Sequence, residues 1–325
     1  MPMNVLITGG AGYIGSACVE FFLNAGHSVT VFDNLSEGHR SAVDPRATFI
    51  RGDCHDRRSL AEALHLHQIE AVVHFAASAL VSESMRLPGK YFFNNTSGTQ
   101  SVLDSCVVAG VRKLVLSSTC ATYGVPETDR ISESHPQCPI NPYGESKLLA
   151  ERMLPWYQRA YGLEFVGLRY FNAAGATALR GEHHRIETHL IPNVIKVALG
   201  QSPSCEVFGE DYPTPDGTCV RDYIHVEDLS QAHLLALMSE KCGFFNLGNG
   251  SGHSIREVIR TCEQVSGCKI PALFKPRRAG DPPRLVAAAD KAIQDLGWKP
   301  RLASLDQILA SAWNWHRTHP HGYPD

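Results

Sequence analysis

The chain has 325 residues, 43% hydrophobic and 19% charged, with a formal net charge of −3. That composition is globular, and without a run of one sign it excludes the electrostatic footprint of a nucleic-acid or anionic-membrane binder, leaving room only for a local basic pocket. Ten scattered cysteines with no C-x-x-C pair, a strand-like opening at MPMNVLITGG and no membrane-length apolar run predict reduced thiols and a cytoplasmic protein.

In chain order, β-branched runs predict strands at 4–8, 28–32, 47–51, 71–75, 113–117 and 165–169. Helical patterns fall between them at about 13–25, 58–67, 89–110 and 142–161. Near-continuous apolar strands such as VVHFA and LVLSS suit a parallel sheet covered on both faces. Regular strand–helix alternation gives right-handed crossovers and an α/β, Rossmann-type doubly wound sheet. From about residue 175 the pattern loosens, with helices near 189–200, 226–239, 254–266 and 304–318 between Pro- and Gly-rich stretches. Ser254 and Glu257 form an S-x-x-E helix start. This second part reads as a smaller lobe on the open sheet.

Residues 4–15 read NVLITGGAGYIG, with Gly9, Gly12 and Gly15 spaced G-x-x-G-x-x-G between a strand and a helix. A bare glycine match is weak, and a glycine turn beside a surface aspartate is its bland reading. The strand–helix context raises it to a dinucleotide loop, in which glycines admit a pyrophosphate to the helix N-terminus. Asp33 closes the second strand, where a carboxylate takes an adenosine ribose and repels a 2′-phosphate, so NAD is favoured over NADP. Arg40, seven residues on, would blunt that repulsion if its loop folded back.

The stretch NPYGESK places Asn141 as N-cap, Pro142 at the first helical position, and Tyr143 and Lys147 one turn apart. A free phenol near pKa 10 is a poor base at neutral pH. An ammonium beside it, joined by a cationic nicotinamide ring, would favour the phenolate and make Tyr143 an acid–base group. Y-x-x-x-K alone is common on helix surfaces. Here it follows a strand ending in LSSTCATYG, whose Thr119 hydroxyl could reach the same substrate oxygen.

Taken together, TGGAGYIGS, VFDNLS, RGD, HFAA, ESM, NN-x-x-GT, SSTCATYG, NPYGESK, RYFNAAGA, HLIP, DYPTPDGTCVRDYIHVEDL, NLGNG, PRRAGDP and GYPD resemble the extended short-chain dehydrogenase/reductase family, in its branch of UDP-sugar 4-epimerases. The resemblance runs along the whole chain. It implies NAD-dependent interconversion of UDP-galactose and UDP-glucose through a 4-keto sugar, with residues 1–174 as the NAD domain, chain crossing back from the C-terminal half, and 175–325 as the UDP-sugar lobe. It also implies a homodimer through a four-helix interface. Tyr143 would be the acid and base, Lys147 its electrostatic partner and a ribose ligand, and Thr119 a substrate contact. Around NAD it places Gly9, Gly12, Tyr13, Ile14, Gly15, Asp33, Asn34, Asp53, Cys54, Phe75, Ala76, Ala77, Asn95 and Tyr170. Around the UDP-sugar it places Asn172, Arg221 and Arg278 at the diphosphate, Leu190 and Phe208 about the uridine, and Asp281 on its ribose. Paired arginines in a net-negative chain suit a diphosphate.

Three positions depart from the family pattern. Thr119 replaces a common serine and keeps the hydroxyl. Ala79 removes a lysine that some members place near the cofactor. Leu285, of middling size, leaves tolerance of an N-acetyl sugar open. Rival readings are an epimerase of N-acetylated, pentose or uronic-acid UDP-sugars, or a catalytically silent NAD-binding regulator. A dehydratase is disfavoured because SSTCATYG lacks an acidic pair beside the threonine. Two histidine groups, His183, His184 and His189, and His316, His319 and His321, read as solvated loop and terminal residues, with no metal expected.

Overall fold

The computed structural model describes residues 2–278 and 281–324, so the blocks PRRAGDP and GYPD fall partly outside the described residues. The first part runs β1 (Asn4–Thr8), α1 (Tyr13–Asn24), β2 (Ser28–Asp33), β3 (Thr48–Arg51), α2 (Arg57–Leu66), β4 (Ala71–His74), α3 (Val81–Ser84), α4 (Pro88–Tyr91), α5 (Gly98–Ala109), β5 (Lys113–Thr119), α6 (Pro142–Tyr161) and β6 (Glu164–Tyr170). There follow β7 (Asn172–Ala174), α7 (Leu190–Ala198), β8 (Cys205–Phe208), β9 (Val220–Arg221), β10 (Tyr223–His225) and α8 (Val226–Met238). The rest is β11 (Gly243–Leu247), β12 (His253–Ser254), α9 (Ile255–Ser266), β13 (Ala272–Lys275), β14 (Arg284–Leu285), α10 (Asp290–Leu296) and α11 (Leu305–Thr318).

Seven strands make one parallel sheet in the order β11-β6-β5-β4-β1-β2-β3. The two-residue period of a strand explains how it is covered. Val5, Ile7, Val31 and Val73 join Phe22, Leu229 and Ala232 of α1 and α8 on one face. Leu6, Val72, Leu114 and Leu116 join Leu60, Val102 and Leu154 of α2, α5 and α6 on the other. All six predicted strands form within two residues of their expected ends.

The seventh strand, β11, comes from the half where periodicity fades. Its GFFNL run is short, yet pairing with β6 buries Phe245 and Leu247. With α8 and α10 it returns the chain to the first layer, where fully buried Trp298 donates through Nε1 to the Asp228 carbonyl at 2.9 Å. The predicted helix at 89–110 is instead α4, a wide π turn at Phe92–Ser97, and α5. The C-terminal lobe packs α7, α9 and α11 around Val194, Val207, Val258 and Leu309, beside three small sheets. Ser254 and Glu257 close the expected capping box on α9. Among the described residues every cysteine is free, and no helix is long and apolar enough to cross a membrane.

Strand β1 lies between β2 and β4, so the chain winds outward in two directions from there. Ligands of such sheets bind beyond the carboxyl ends of the strands at that point.

Candidate active site

The loop leaving β1 is shaped by two glycines that the fold itself requires. Gly9 has φ +71°, and a Cβ there would meet the Ala76 nitrogen at 2.5 Å. A Cβ on Gly15 would lie 2.1 Å from the Gly9 carbonyl oxygen. Gly12 differs, since its Cβ would approach protein no closer than 3.4 Å. Packing within the chain therefore does not require glycine at Gly12, at the mouth of α1, whereas a pyrophosphate cradled there would. Gly12→Ala should fold with wild-type stability and lose NAD affinity about tenfold or more through overpacking against the pyrophosphate. Isothermal titration with NAD beside a thermal melt checks this; unchanged affinity would count against the loop as the pyrophosphate cradle.

Asp33 is 8% exposed at the end of β2, and its carboxylate accepts the Ala11 amide at 2.9 Å and the Leu35 amide at 2.8 Å. Burial pushes its carboxyl up while these two donors pull it back. Asn34 donates to Asp53 at 2.9 Å, joining the two predicted adenosine contacts. The Arg40 guanidinium lies over the Phe49 ring, 4.4 Å from its centre, and does not line the cavity. Cys54 has its thiol pushed up to about 12 by burial and serves as neutral wall.

Asn95, expected at NAD, has its side-chain polar atoms engaged within the protein. The π turn aims it inward, 1% exposed, where its Oδ1 accepts the Ser78 amide at 2.8 Å and its Nδ2 donates to the Ser78 carbonyl at 2.9 Å and the Ser146 hydroxyl at 3.0 Å. Its polar atoms brace the loop that presents Phe75, Ala76 and Ala77, and it does not line the cavity itself. Tyr13 lines the cavity but spends its hydroxyl on the Gly175 carbonyl at 2.6 Å, tying the glycine loop to the second lobe.

Helix α6 starts as predicted, with the Asn141 side chain accepting the Gly144 amide at 2.8 Å. A Cβ on Gly144 would meet the Ala121 carbonyl at 2.4 Å, so glycine lets this helix end press against the turn after β5. Tyr143, Lys147 and Thr119 meet at that junction and all line the cavity. Thr119 Oγ1 accepts the Ala121 amide at 3.1 Å, leaving its hydrogen to donate. Lys147 Nζ donates to the Ser117 carbonyl at 2.9 Å, and the Ser117 hydroxyl pairs with the Tyr170 phenol. Sequence reasoning missed Ser117, which fixes both neighbours.

The expected lowering of the Tyr143 pKa by Lys147 is not what the protein alone produces. Burial pushes the Tyr143 phenol up to about 12, and the opposing pull comes from its hydrogen bond with Thr119. Burial also drives Lys147 from 10.5 down to about 8, against the attraction of Glu151. Desolvation disfavours the charged form of both groups. A lysine depressed in the fold binds fewer protons than in the unfolded chain between about pH 8 and 10.5, so its contribution to stability rises with pH through that window. The expected gain is ~3 kcal/mol, present in the wild type and absent in Lys147→Met. Denaturation curves at both ends of the window test it, and a constant difference between the two proteins would contradict it.

Behind the pair, Glu151 extends the same helix face one turn beyond Lys147. Its oxygens accept Arg169 Nε at 2.9 Å and Nη2 at 2.7 Å, the Ser118 hydroxyl at 2.5 Å and Gln137 Nε2 at 3.0 Å. Arg169 Nη1 donates to the Tyr123 hydroxyl at 3.0 Å, which donates to Asn246 at 2.7 Å. This network ties α6 to β5, β6 and β11.

Across the cavity, Arg221 donates to Asp281 at 2.5 Å and to the Val220 carbonyl at 2.9 Å. The two predicted nucleotide contacts are therefore partners of one another, with Asp281 orienting the arginine. Asn172, Leu190, Arg278 and Leu285 line the cavity, as does Ala79 near the cofactor side. Phe208 does not line it; the Arg278 guanidinium covers its ring at 3.8 Å from the centroid. Phe208 thus supports Arg278, one of the expected diphosphate contacts.

The cavity holds about 1170 Å³, above the roughly 300–1,000 Å³ of a single small-molecule site. Its polar groups also divide in two: amide donors and the accepting Asp33 carboxylate at the glycine loop, guanidinium donors opposite, with Tyr143 between. The glycine cradle, the buried ribose-accepting carboxylate and the lining Tyr170 fit NAD.

Beside the cavity, Glu182, His184, Glu187 and His189 bring their ligand atoms within 4.8 Å of one another. The spacing E-x-H-x-x-E-x-H is present in RGEHHRIETH, where the sequence reading found no convincing ligand spacing with carboxylate.

Residues 5–248 match the model of the NAD dependent epimerase/dehydratase family. The chain is 51% identical over 327 residues to a UDP-glucose 4-epimerase of Halalkalibacterium halodurans, spanning 99% of this chain and 98% of that one. It is similar in three dimensions to a crystal structure of UDP-glucose 4-epimerase, with TM-score 0.96 and 48% identity over 99% of this chain and 100% of that chain. Against UDP-glucose 4-epimerase from Brucella ovis in complex with NAD, the TM-score is 0.93 and the identity 47%, over 96% and 98% of the two chains.

Proposed function

The chain belongs to the NAD dependent epimerase/dehydratase family, and from that premise we propose that it inverts C4 of a UDP-hexose, interconverting UDP-galactose and UDP-glucose, with Tyr143 as acid and base. The observation that carries this reading is the meeting of Thr119, Tyr143 and Lys147 in one cavity between the glycine loop and two arginines. Tyr143 takes the proton of the sugar 4-hydroxyl, and the Thr119 hydroxyl, held by the Ala121 amide, steadies that oxygen. NAD, when bound, supplies the oxidation and re-reduction at C4 by accepting a hydride and giving it back. Arg221 and Arg278 hold the diphosphate while the 4-keto sugar turns its other face to Tyr143, which then returns the proton. Because the protein phenol alone sits near 12, its activation requires added positive charge in the site, which oxidised nicotinamide carries.

The enzyme is read as a cytoplasmic homodimer. Support comes from apolar side chains left exposed on α5 and α6, namely Val108, Trp156 and Tyr161, which a helix-pair interface would cover. The function is tested by incubating purified protein with UDP-galactose and coupling product to UDP-glucose dehydrogenase. Formation of UDP-glucose is expected. No conversion, with NAD supplied, would overturn the reading.

A further inference from the structure

We propose that Glu182, His184, Glu187 and His189 form a structural site for one divalent transition-metal ion, with zinc as the representative, that staples the segment between β7 and α7 against the cavity wall. Fifteen residues, 175–189, cross from Ala174 to Leu190 without helix or strand, although this segment lines the cavity through Glu182, His184, Ile186 and His189. Irregular stretches of that length inside a compact domain are uncommon and are held by something other than backbone ladders.

The four side chains converge. Glu182 Oε1 lies 3.2 Å from His184 Nε2 and 3.1 Å from His189 Nδ1, and Glu187 Oε1 lies 2.8 Å from the same Nδ1. Tetrahedral bonds of roughly 2.0–2.1 Å to nitrogen and oxygen set donor separations of about 3.3–3.4 Å. These three pairs reach that spacing by outward movements of a few tenths of an ångström, and the remaining donors, spread over up to 4.8 Å, close inward onto the ion. The His189 imidazole nitrogen faces two carboxylate oxygens and can donate one hydrogen to only one of them, the further donors being His184 Nε2 toward Glu182 and the His189 amide toward Glu187. The two carboxylates are 5% and 4% exposed, and like charges so close and so dry call for a positive charge beside them, which a protonated imidazole or a bound metal ion supplies.

Two imidazoles and two carboxylates are a borderline, nitrogen–oxygen donor set that suits zinc among the common divalent ions. Four protein ligands also close the sphere, which is the pattern of a structural ion. Neighbouring contacts fix the outer parts of the cluster. The Tyr13 ring stands edge-on to His184 at 6.3 Å, and Arg185 donates to the Ser36 carbonyl at 3.1 Å. The ion would thus sit between the adenosine-ribose loop and Leu190 at the start of α7, holding both ligand regions in register.

The test uses the full-length protein, stripped with chelator, reloaded with zinc, passed through gel filtration and analysed for metal. One zinc per chain is expected, with a melting temperature that rises on reloading and falls again with chelator. The double variant His184→Gln/His189→Gln should retain none. Reloading with Co²⁺ should give the strong visible bands of a tetrahedral ion. If the double variant does not fold, the wild-type stoichiometry and Co²⁺ spectrum decide alone. Wild-type protein that keeps no zinc, or that gives only the weak spectrum of hydrated Co²⁺, would show a hydrogen-bonded polar cluster and overturn the proposal. None of these readouts depends on turnover.

Discussion

Tyr143→Phe loses at least about 10²–10⁴-fold in turnover of UDP-galactose, the range supplied by a positioned acid–base group, while its melting temperature and NAD affinity stay at wild-type values. The separation follows from the geometry. Among the described residues the Tyr143 hydroxyl has Thr119 as its one hydrogen-bond partner, so removing one oxygen leaves the packing of α6 intact. Phenylalanine fills the same ring site beside Tyr91, whose ring stands at 6.3 Å and 80°. A variant that turned over normally would remove Tyr143 from the mechanism. One that lost NAD as well would make the tyrosine a binding group first.

The second large effect is on stability. Arg169→Met leaves the Glu151 carboxylate buried with only Ser118 and Gln137 as partners, where the side chains of the pair are 4% and 2% exposed. Removing one member of a buried pair costs about 3–5 kcal/mol, and chemical denaturation should show that loss. The double variant Arg169→Met/Glu151→Leu removes the stranded charge and should recover much of it, a coupling that a cycle of four proteins measures. A double variant whose loss equals the sum of the two single-variant losses would mean that the pair is not coupled. The network also carries function, since Glu151 lies one turn beyond Lys147 and supports its ammonium against burial. Arg169 and Glu151 act as positioning residues in this account, so the Glu151→Leu protein should lower the pH at which Lys147 loses its proton.

Much of this was readable from the chain because each feature is local. The glycine spacing, the Asn141 cap, the Tyr143–Lys147 turn and the six apolar strands depend on neighbours a few residues apart, and all appear as expected. What escaped depends on distant pairing. The β11 strand is too short to announce itself and is defined by its place beside β6. Asn95, expected at NAD, has partners the sequence did not reveal, because the π turn brings it onto Ser78 and Ser146. Phe208, expected about the uridine, also underlies Arg278. Asp281 and Arg221, sixty residues apart, had separate expected roles and form one pair. Glu151 was within reach of sequence reasoning, since 143, 147 and 151 share a helix face, but its arginine partner lies on another strand.

The most direct measurement of the central claim follows the hydrogen at C4. UDP-galactose carrying deuterium at that carbon is converted by the purified protein in ordinary water, and the UDP-glucose formed is examined by NMR. If Tyr143 handles only the hydroxyl proton while the carbon-bound hydrogen is removed and returned within one site, the deuterium is found at C4 of the product, with configuration inverted. Loss of the label to solvent would contradict the account, because it would mean that C4 is deprotonated rather than oxidised.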